Sequence, residues 1–176
     1  MIYTLTAIIV LLFIIGIIIF FNCINLKEKN ESLIVCQESI YDLFLEKKKH
    51  LEKLTLIINN KNSDKEITIE KEMTIFECEE LLFNKDKEIN KLLEELIQSK
   101  TKKKKPDPKE INEIHKLLDL LEESIEGLKD YYNNHANNYN KYFHKKIFHF
   151  FYETFGFKEK NVFKLREIEK FEILKK

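Results

Sequence analysis

The first 26 residues contain no charged side chain, and this stretch constrains the fold more than any other feature of the chain. From Ile2 to Phe21 the residues are apolar apart from Tyr3, Thr4 and Thr6. A helix of about 20 apolar residues matches the thickness of the hydrocarbon core of a bilayer. In a soluble protein the same helix would be apolar on every side, with nothing large enough to bury it. The sequence therefore predicts one transmembrane helix, with residues 1–26 as the anchor and residues 27–176 as a separate body.

A cleaved secretory signal is the alternative interpretation of this stretch. Such signals begin with a basic segment and end at small residues, whereas here the apolar run is followed by Phe20, Phe21 and Asn22. The same bulky residues precede Cys23, which argues against a lipoprotein signal. We therefore expect the span to be retained.

The charges next to the span predict its orientation. Lys27 and Lys29 follow it closely, and basic residues flanking a span tend to stay on the cytoplasmic side. The three cysteines, an odd and scattered set, agree with a reducing compartment. The expected location is the cell membrane, as a single-pass protein with a cytoplasmic body.

Composition excludes several classes of function. The chain has 30 Lys+Arg against 30 Asp+Glu, and this zero net charge argues against nucleic-acid binding over the whole surface. Its three glycines are too far apart for a phosphate-binding loop or a nucleophile elbow. His115 and Asp119 are spaced as a ligand pair, but no further metal-binding pattern accompanies them. The sequence predicts no catalytic residue, metal site or cofactor.

Beyond the span, apolar residues recur at steps of three and four in three stretches, which predicts amphipathic helices. The first covers residues 33–58 and continues the span, the second runs from about 64 to 100, and the third begins at Pro108 with Asp107 as its N-cap. Ser63 followed by Glu66 is a candidate capping box for the second helix. The apolar stripe of the first comprises Leu33, Cys36, Ile40, Leu43 or Phe44, Leu51, Leu54 and Ile58. The third keeps the coiled-coil rhythm at Ile114, Leu118, Leu121, Ile125, Leu128, Tyr132, His135, Tyr139 and Tyr142. The predicted fold is all-α, an N-terminal transmembrane helix followed by an antiparallel bundle of about four helices. So long a stripe could also pair between chains in a homo-oligomer.

Four consecutive lysines interrupt the helical pattern, at Lys102, Lys103, Lys104 and Lys105. A helix that leaves the membrane and one that returns would bring this loop back to the lipid headgroups, where each lysine contributes about 1 kcal/mol near an anionic leaflet. The loop is therefore a candidate contact with membrane lipid. A solvated loop that only favours solubility is the equal alternative.

Two Tyr-Asn steps lie one heptad apart, at Tyr132-Asn133 and Tyr139-Asn140, and a Gly156-Phe157 step follows. Together with the N-terminal span, these motifs resemble the LemA family of bacterial membrane proteins. The resemblance implies a membrane-anchored antiparallel helical bundle with no established catalytic activity. The Tyr-Asn steps are either a structural motif, with buried rings and asparagines bonded to backbone, or an interaction strip for a protein partner.

Aromatic residues crowd the segment from Ile147 to Phe157. The segment is an end cap of the bundle, an interfacial helix that touches the membrane, or a docking surface for a protein. The charged tail that follows is expected to be helical from about Asn161. The predicted function is that of a non-enzymatic scaffold or protein-interaction module at the membrane. The alternative is a lipid-binding or membrane-remodelling protein that uses the Lys102–Lys105 loop and this aromatic segment.

Overall fold

The computed structural model describes residues 2–58, 67–69, 73–98, 107–145 and 148–166, and its regular elements are all helices. The helices are α1 (Ile2–Ile58), α2 (Ile75–Gln98), α3 (Pro108–Phe143) and the short α4 (His149–Thr154). The described residues contain no strand. The predicted all-α class is therefore confirmed, as is the continuation of the N-terminal helix into the body.

The chain packs as two compact units that both draw on α1 and α3. Unit 1 comprises Met1–Cys36 with Asp130–Phe163, and unit 2 comprises Gln37–Lys129 with Lys164–Lys176. The boundaries of these units are defined by contacts within the protein. The predicted boundary after residue 26 separates a membrane anchor from the body, and it stays a prediction.

The first part of α1 is long and apolar enough to cross a membrane. Its side chains are exposed from Tyr3 through Ile18, so no other part of unit 1 covers them. Further along α1 the pattern changes, because Leu26, Leu33 and Cys36 are buried in unit 1. The core of that unit is completed by buried residues of α3, α4 and the C-terminal segment: Tyr132, Ala136, Tyr139, Phe143, Tyr152 and Phe163.

Three helical segments supply the core of unit 2. The buried apolar side chains that α1 contributes to this unit belong to the predicted apolar stripe, which keeps the three-four spacing. From α1 they are Ile40, Phe44, Leu51, Leu54 and Ile58; from α2, Cys78, Leu82, Ile89 and Leu93; from α3, Ile111, Ile114, Leu118 and Ile125.

The helix starts are partly as predicted. Asp107 caps α3, since its carboxylate accepts a hydrogen bond from the Lys109 N–H at 2.9 Å. The predicted start of the second helix near residue 64 is wrong, because residues 67–69 and 73–74 are not helical. There Thr74 and Glu77 form the capping box of α2: the Glu77 carboxylate accepts from the Thr74 N–H at 2.7 Å, and the Thr74 hydroxyl accepts from the Glu77 N–H at 3.3 Å. The capping box predicted at Ser63 lies outside the described residues.

Candidate functional site

The two asparagines of the Tyr-Asn steps bind the backbone of the C-terminal segment, which we call the strap (residues 157–166). In unit 1, the Asn133 amide donates to the Phe163 carbonyl at 2.8 Å and accepts from the Phe163 N–H at 2.7 Å. Asn140 does the same with Lys160, at 2.9 Å in both directions. Each amide thus satisfies both polar groups of one strap residue, as a neighbouring β-strand would.

The spacing of these pairs matches a helix to an extended chain. Seven helical residues, from Asn133 to Asn140, advance about 10.5 Å along α3. Three extended residues, from Phe163 back to Lys160, advance about 10 Å. Because the two repeats nearly coincide, equivalent asparagines one heptad apart meet equivalent strap residues. The strap therefore runs opposite in direction to α3 within unit 1.

Unit 2 contains a contact with the same spacing. The Glu126 carboxylate, seven residues before Asn133 in the sequence, accepts from the Arg166 N–H at 3.1 Å, three residues after Phe163. The Arg166 guanidinium also lies 3.7 Å from Glu79 and stacks 3.6 Å over the ring of Phe83. In unit 2, Arg166 of the strap is thus held by a backbone hydrogen bond, a charge contact and a ring contact.

The tyrosines of the two steps are fully buried beside the strap. The ring of Tyr132 packs edge-on against Phe163, with centroids 5.2 Å apart. The Lys160 ammonium lies 5.6 Å over the ring of Tyr139. Burial raises the pKa of Tyr139, partly opposed by the Lys158 backbone, and burial lowers the pKa of Lys160. Both shifts reflect how far this face of α3 is removed from water.

Gly156 and Phe157 end α4 and start the strap. Gly156 has a φ of 80°, in the left-handed region that favours glycine. The Gly156 N–H donates to the backbone carbonyl of Glu153, and the Phe157 N–H donates to the backbone carbonyl of Tyr152, both at 3.0 Å. The rings of Tyr152 and Phe157 also meet at 6.1 Å. This is the full Schellman arrangement with its hydrophobic contact, and it turns the chain back along α3.

The six motif residues of the sequence therefore belong to one arrangement in unit 1. Both polar groups of the Asn133 and Asn140 amides form hydrogen bonds with the chain's own backbone. These are the bonds that the structural interpretation of the Tyr-Asn steps requires. These asparagines could bind a protein partner through their amides only after the strap had separated from α3.

The aromatic segment divides into a buried side and an exposed side. Tyr152 is 1% exposed and packs near Phe143, whose ring also meets His149 edge-on at 4.8 Å. Phe150 and Phe155, in contrast, are 71% and 64% exposed. The buried residues fit the end-cap interpretation, and contact of the exposed rings with the membrane stays a prediction.

Unit 2 contains buried charges that the sequence analysis missed. Lys129 is 1% exposed and pairs with Glu79 at 2.8 Å and with Glu126. Lys47 is 4% exposed and pairs with Asp86 at 3.2 Å and Glu122 at 2.5 Å. The available signal was that both lysines interrupt an apolar stripe, Lys47 between Phe44 and Leu51, and Lys129 between Ile125 and Tyr132. A small enclosed cavity lies between the two clusters and is also lined by Leu82, Phe83 and Arg166.

Two other features considered in the sequence analysis are the lysine loop and His115. The Lys102–Lys105 loop lies outside the described residues. His115 is half-buried in unit 2, where burial lowers its pKa against the opposing influence of Asp119 and Asp86. Within the part of the chain that the structure describes, no group of three or more His, Cys, Asp or Glu side chains is placed to hold a metal ion.

Comparison with known proteins finds no matching family model, no matching curated protein and no matching solved structure. The resemblance to the LemA family therefore stays a prediction from the Tyr-Asn and Gly-Phe motifs. The functional argument depends on the chain's own contacts.

Proposed function

We propose that the protein is a membrane-anchored, LemA-like helical bundle that serves as a non-enzymatic scaffold or protein-interaction module at the cytoplasmic face of the cell membrane. Its action would be positional: the anchor fixes where the body is, and the body presents helix surfaces to a partner. Such a role needs no general acid, general base or cofactor.

One observation carries the proposal, the unbroken course of α1. Its 57 residues correspond to about 85 Å at 1.5 Å per residue. The first third exposes apolar side chains on all sides, and the later turns bury one stripe in the protein. In water the exposed third would form an apolar surface far larger than the few hundred Å² that soluble monomers tolerate. In a bilayer, exposure of these apolar side chains to lipid carries no free-energy cost. Because α1 is continuous, the anchored part of the helix is joined to the body without a flexible linker.

The charge contacts of unit 2 support a bundle-like body. Lys47 of α1 bonds to α2 and α3, through Asp86 and Glu122 respectively. Lys129 of α3 bonds to α2 through Glu79. Buried polar contacts of this kind select one register among helices whose apolar faces could slide. An antiparallel arrangement of these helices is part of the proposal.

The cytoplasmic placement of the body follows from Lys27 and Lys29. The test is labelling of Asn137→Cys, an exposed site on α3, with a membrane-impermeant maleimide. The native Cys36 and Cys78 are buried, and a Cys23→Ser background removes the remaining thiol. A cytoplasmic body predicts labelling only after the cells are permeabilised. Labelling of intact cells would place the body outside and contradict this part of the proposal.

The scaffold role is tested by photo-crosslinking in native membranes. Leu117 and Leu120 are large apolar side chains left 44% and 53% exposed on α3, so a photoreactive residue at either site samples a candidate contact surface. The matched control is Glu123, an exposed polar position on the same helix. The proposal predicts discrete protein adducts, including those with a second copy, from the leucine positions and fewer from Glu123. Equal, diffuse crosslinking from all three positions would contradict it.

A further inference from the structure

In unit 1, the turns of α1 that follow the apolar stretch contact the end of α3, and the end of α3 contacts α4. The Lys29 ammonium lies 5.0 Å over the ring of Tyr142, at the end of α3. The next residue, Phe143, stacks near Tyr152 of α4, with centroids 6.4 Å apart. Leu26, about one turn closer to the apolar stretch than Lys29, is only 2% exposed in this unit, whose other segment is Asp130–Phe163. Burial also raises the pKa of Tyr152, and the nearby Cys23 adds to the rise.

The same contacts give α4 a depth relative to the proposed span. Along a helix, Cys23 lies about 3 Å beyond Phe21 and Lys29 about 12 Å beyond it. The polar headgroup layer on each side of a bilayer is about 5–8 Å thick, from the difference between its full and hydrocarbon thickness. Leu26 lies about 7.5 Å beyond Phe21. If the hydrocarbon core ends near Phe21, the burial of Leu26 places the segment that contains α4 at the level of the headgroup layer.

The exposed side of α4 has the chemistry of that layer. Phe150 and Phe155 have 71% and 64% of their surface exposed, whereas Tyr152 is packed in the protein. From residue 144 to residue 160 the sequence has four lysines against two glutamates, so the surroundings of α4 are basic. Aromatic side chains flanked by cations are the usual composition of segments that lie in a membrane interface.

Resting on the proposed anchoring, we infer that α4 is an interfacial element: Phe150 and Phe155 insert into the headgroup–acyl boundary of the bilayer that α1 crosses. The occupant of this apolar surface is lipid, with preference for anionic headgroups. The span holds α4 beside the bilayer permanently, so insertion is an intramolecular event with a high effective concentration of lipid. Two phenylalanines, too few to bind a membrane alone, then suffice to fix the rotation and tilt of the body at the surface.

The chain contains no tryptophan, so single tryptophans report without background. The full chain is reconstituted in nanodiscs with phosphatidylcholine and phosphatidylglycerol, as four variants: Phe150→Trp, Phe155→Trp, Tyr131→Trp and Phe13→Trp. Tyr131 is an exposed aromatic on α3, eleven residues before Tyr142, and serves as the control for an aromatic in water. Phe13 lies in the proposed span and reports on anchoring alone. Quenching by lipids brominated near the headgroup is compared with quenching by aqueous iodide.

The inference predicts that Phe150→Trp and Phe155→Trp are quenched by the brominated lipid at least about twofold more than Tyr131→Trp, and by iodide correspondingly less. Iodide quenching equal to that of Tyr131→Trp, with Phe13→Trp still protected, would overturn the inference and leave the anchoring intact. Protection from both quenchers would mean that protein covers α4, and it would also overturn the inference. Exposure of Phe13→Trp to iodide would contradict the anchoring, and the inference with it.

Discussion

The side-chain amide of Asn133 pairs with both backbone polar groups of Phe163, donating to its carbonyl at 2.8 Å and accepting from its N–H at 2.7 Å. Thirty residues separate the two in the sequence. This pair and its equivalent at Asn140 and Lys160 hold the strap against α3 in unit 1. The Tyr-Asn steps thus have a physical role that does not depend on any partner.

Replacing Asn133 with alanine is expected to release the strap. The change leaves the buried N–H and carbonyl of Phe163 without partners, which costs about 2–4 kcal/mol for the pair. Hydrogen exchange at the Phe163 amide, measured by mass spectrometry on the detergent-solubilised chain, should accelerate. Asn137→Ala, at an exposed position on the same helix, is the control and should leave exchange unchanged. Equal protection of Phe163 in both variants would contradict the pairing.

The same substitution at two glycines is expected to have opposite signs. Gly156→Ala places a Cβ at a φ of 80°, and although no atom lies within 4 Å, the left-handed backbone costs about 1–2 kcal/mol. Gly127 is helical in α3 and equally uncrowded, so Gly127→Ala should stabilise by about 0.5–1 kcal/mol. Thermal unfolding of the two variants measures the difference. A loss of stability at both positions would show that backbone conformation does not determine the effect of these substitutions.

The two buried lysines are expected to differ in importance. Lys129→Ala removes the ammonium from Glu79 and Glu126, each only 11% exposed and left with Arg166 contacts, and should destabilise by about 3–5 kcal/mol. Lys47→Ala leaves Asp86 and Glu122, which are 26% and 24% exposed and can regain water, so about 1–3 kcal/mol is expected. Chemical denaturation gives the values.

Lys49→Ala is the control for both, because this lysine is exposed on α1 and its loss should change stability by less than about 0.5 kcal/mol. A Lys129→Ala variant as stable as Lys49→Ala would mean that the buried charges of unit 2 are not paired in solution.

His115 is expected to make stability fall on mild acidification. Burial lowers its pKa in the folded protein, so between the folded value and the unfolded value of about 6.5 the unfolded chain binds more protons. This contribution is complete above about pH 6.5 and is lost as the pH falls toward the folded pKa. The free energy of unfolding should therefore drop from pH 7 to pH 5.

His115→Gln should reduce that drop, whereas His135→Gln, at an exposed position on the same helix, should not. An unchanged pH dependence in His115→Gln would assign the effect to another group.

Local patterns predicted the helices well and their faces less well. The buried stripe of α1 matches the three-four spacing at Leu33, Ile40 and Leu51. In α3 the predicted His135 is exposed, and Ala136 is buried in its place. Both residues continue the three-four spacing from Tyr132. Because alanine is small, it contributes little to the apolar pattern even when it is buried, and the pattern alone does not favour it over His135.

The strap could not be predicted because it depends on distant partners. A helix was expected from about Asn161, but residues 161–166 are not helical. The competing stabilisation comes from Asn133 and Glu126, 30 and 40 residues earlier in the chain. In contrast, the α2 cap at Thr74 and Glu77 was readable, since it has the Thr-x-x-Glu pattern of a capping box. The burial of Lys47 and Lys129 was not predicted, because lysine is almost never buried without a partner, and pairing is a tertiary property.

The account depends on α1 being integrated in a bilayer, and alkaline carbonate extraction of membranes from cells that make the full chain tests this directly. The account predicts that the protein stays in the membrane pellet and leaves it only in detergent. A Leu12→Arg, Ile15→Arg variant, whose two charges cost about 5–7 kcal/mol at the centre of a span, should lose this retention. Release of the unmodified protein into the carbonate supernatant would contradict the account.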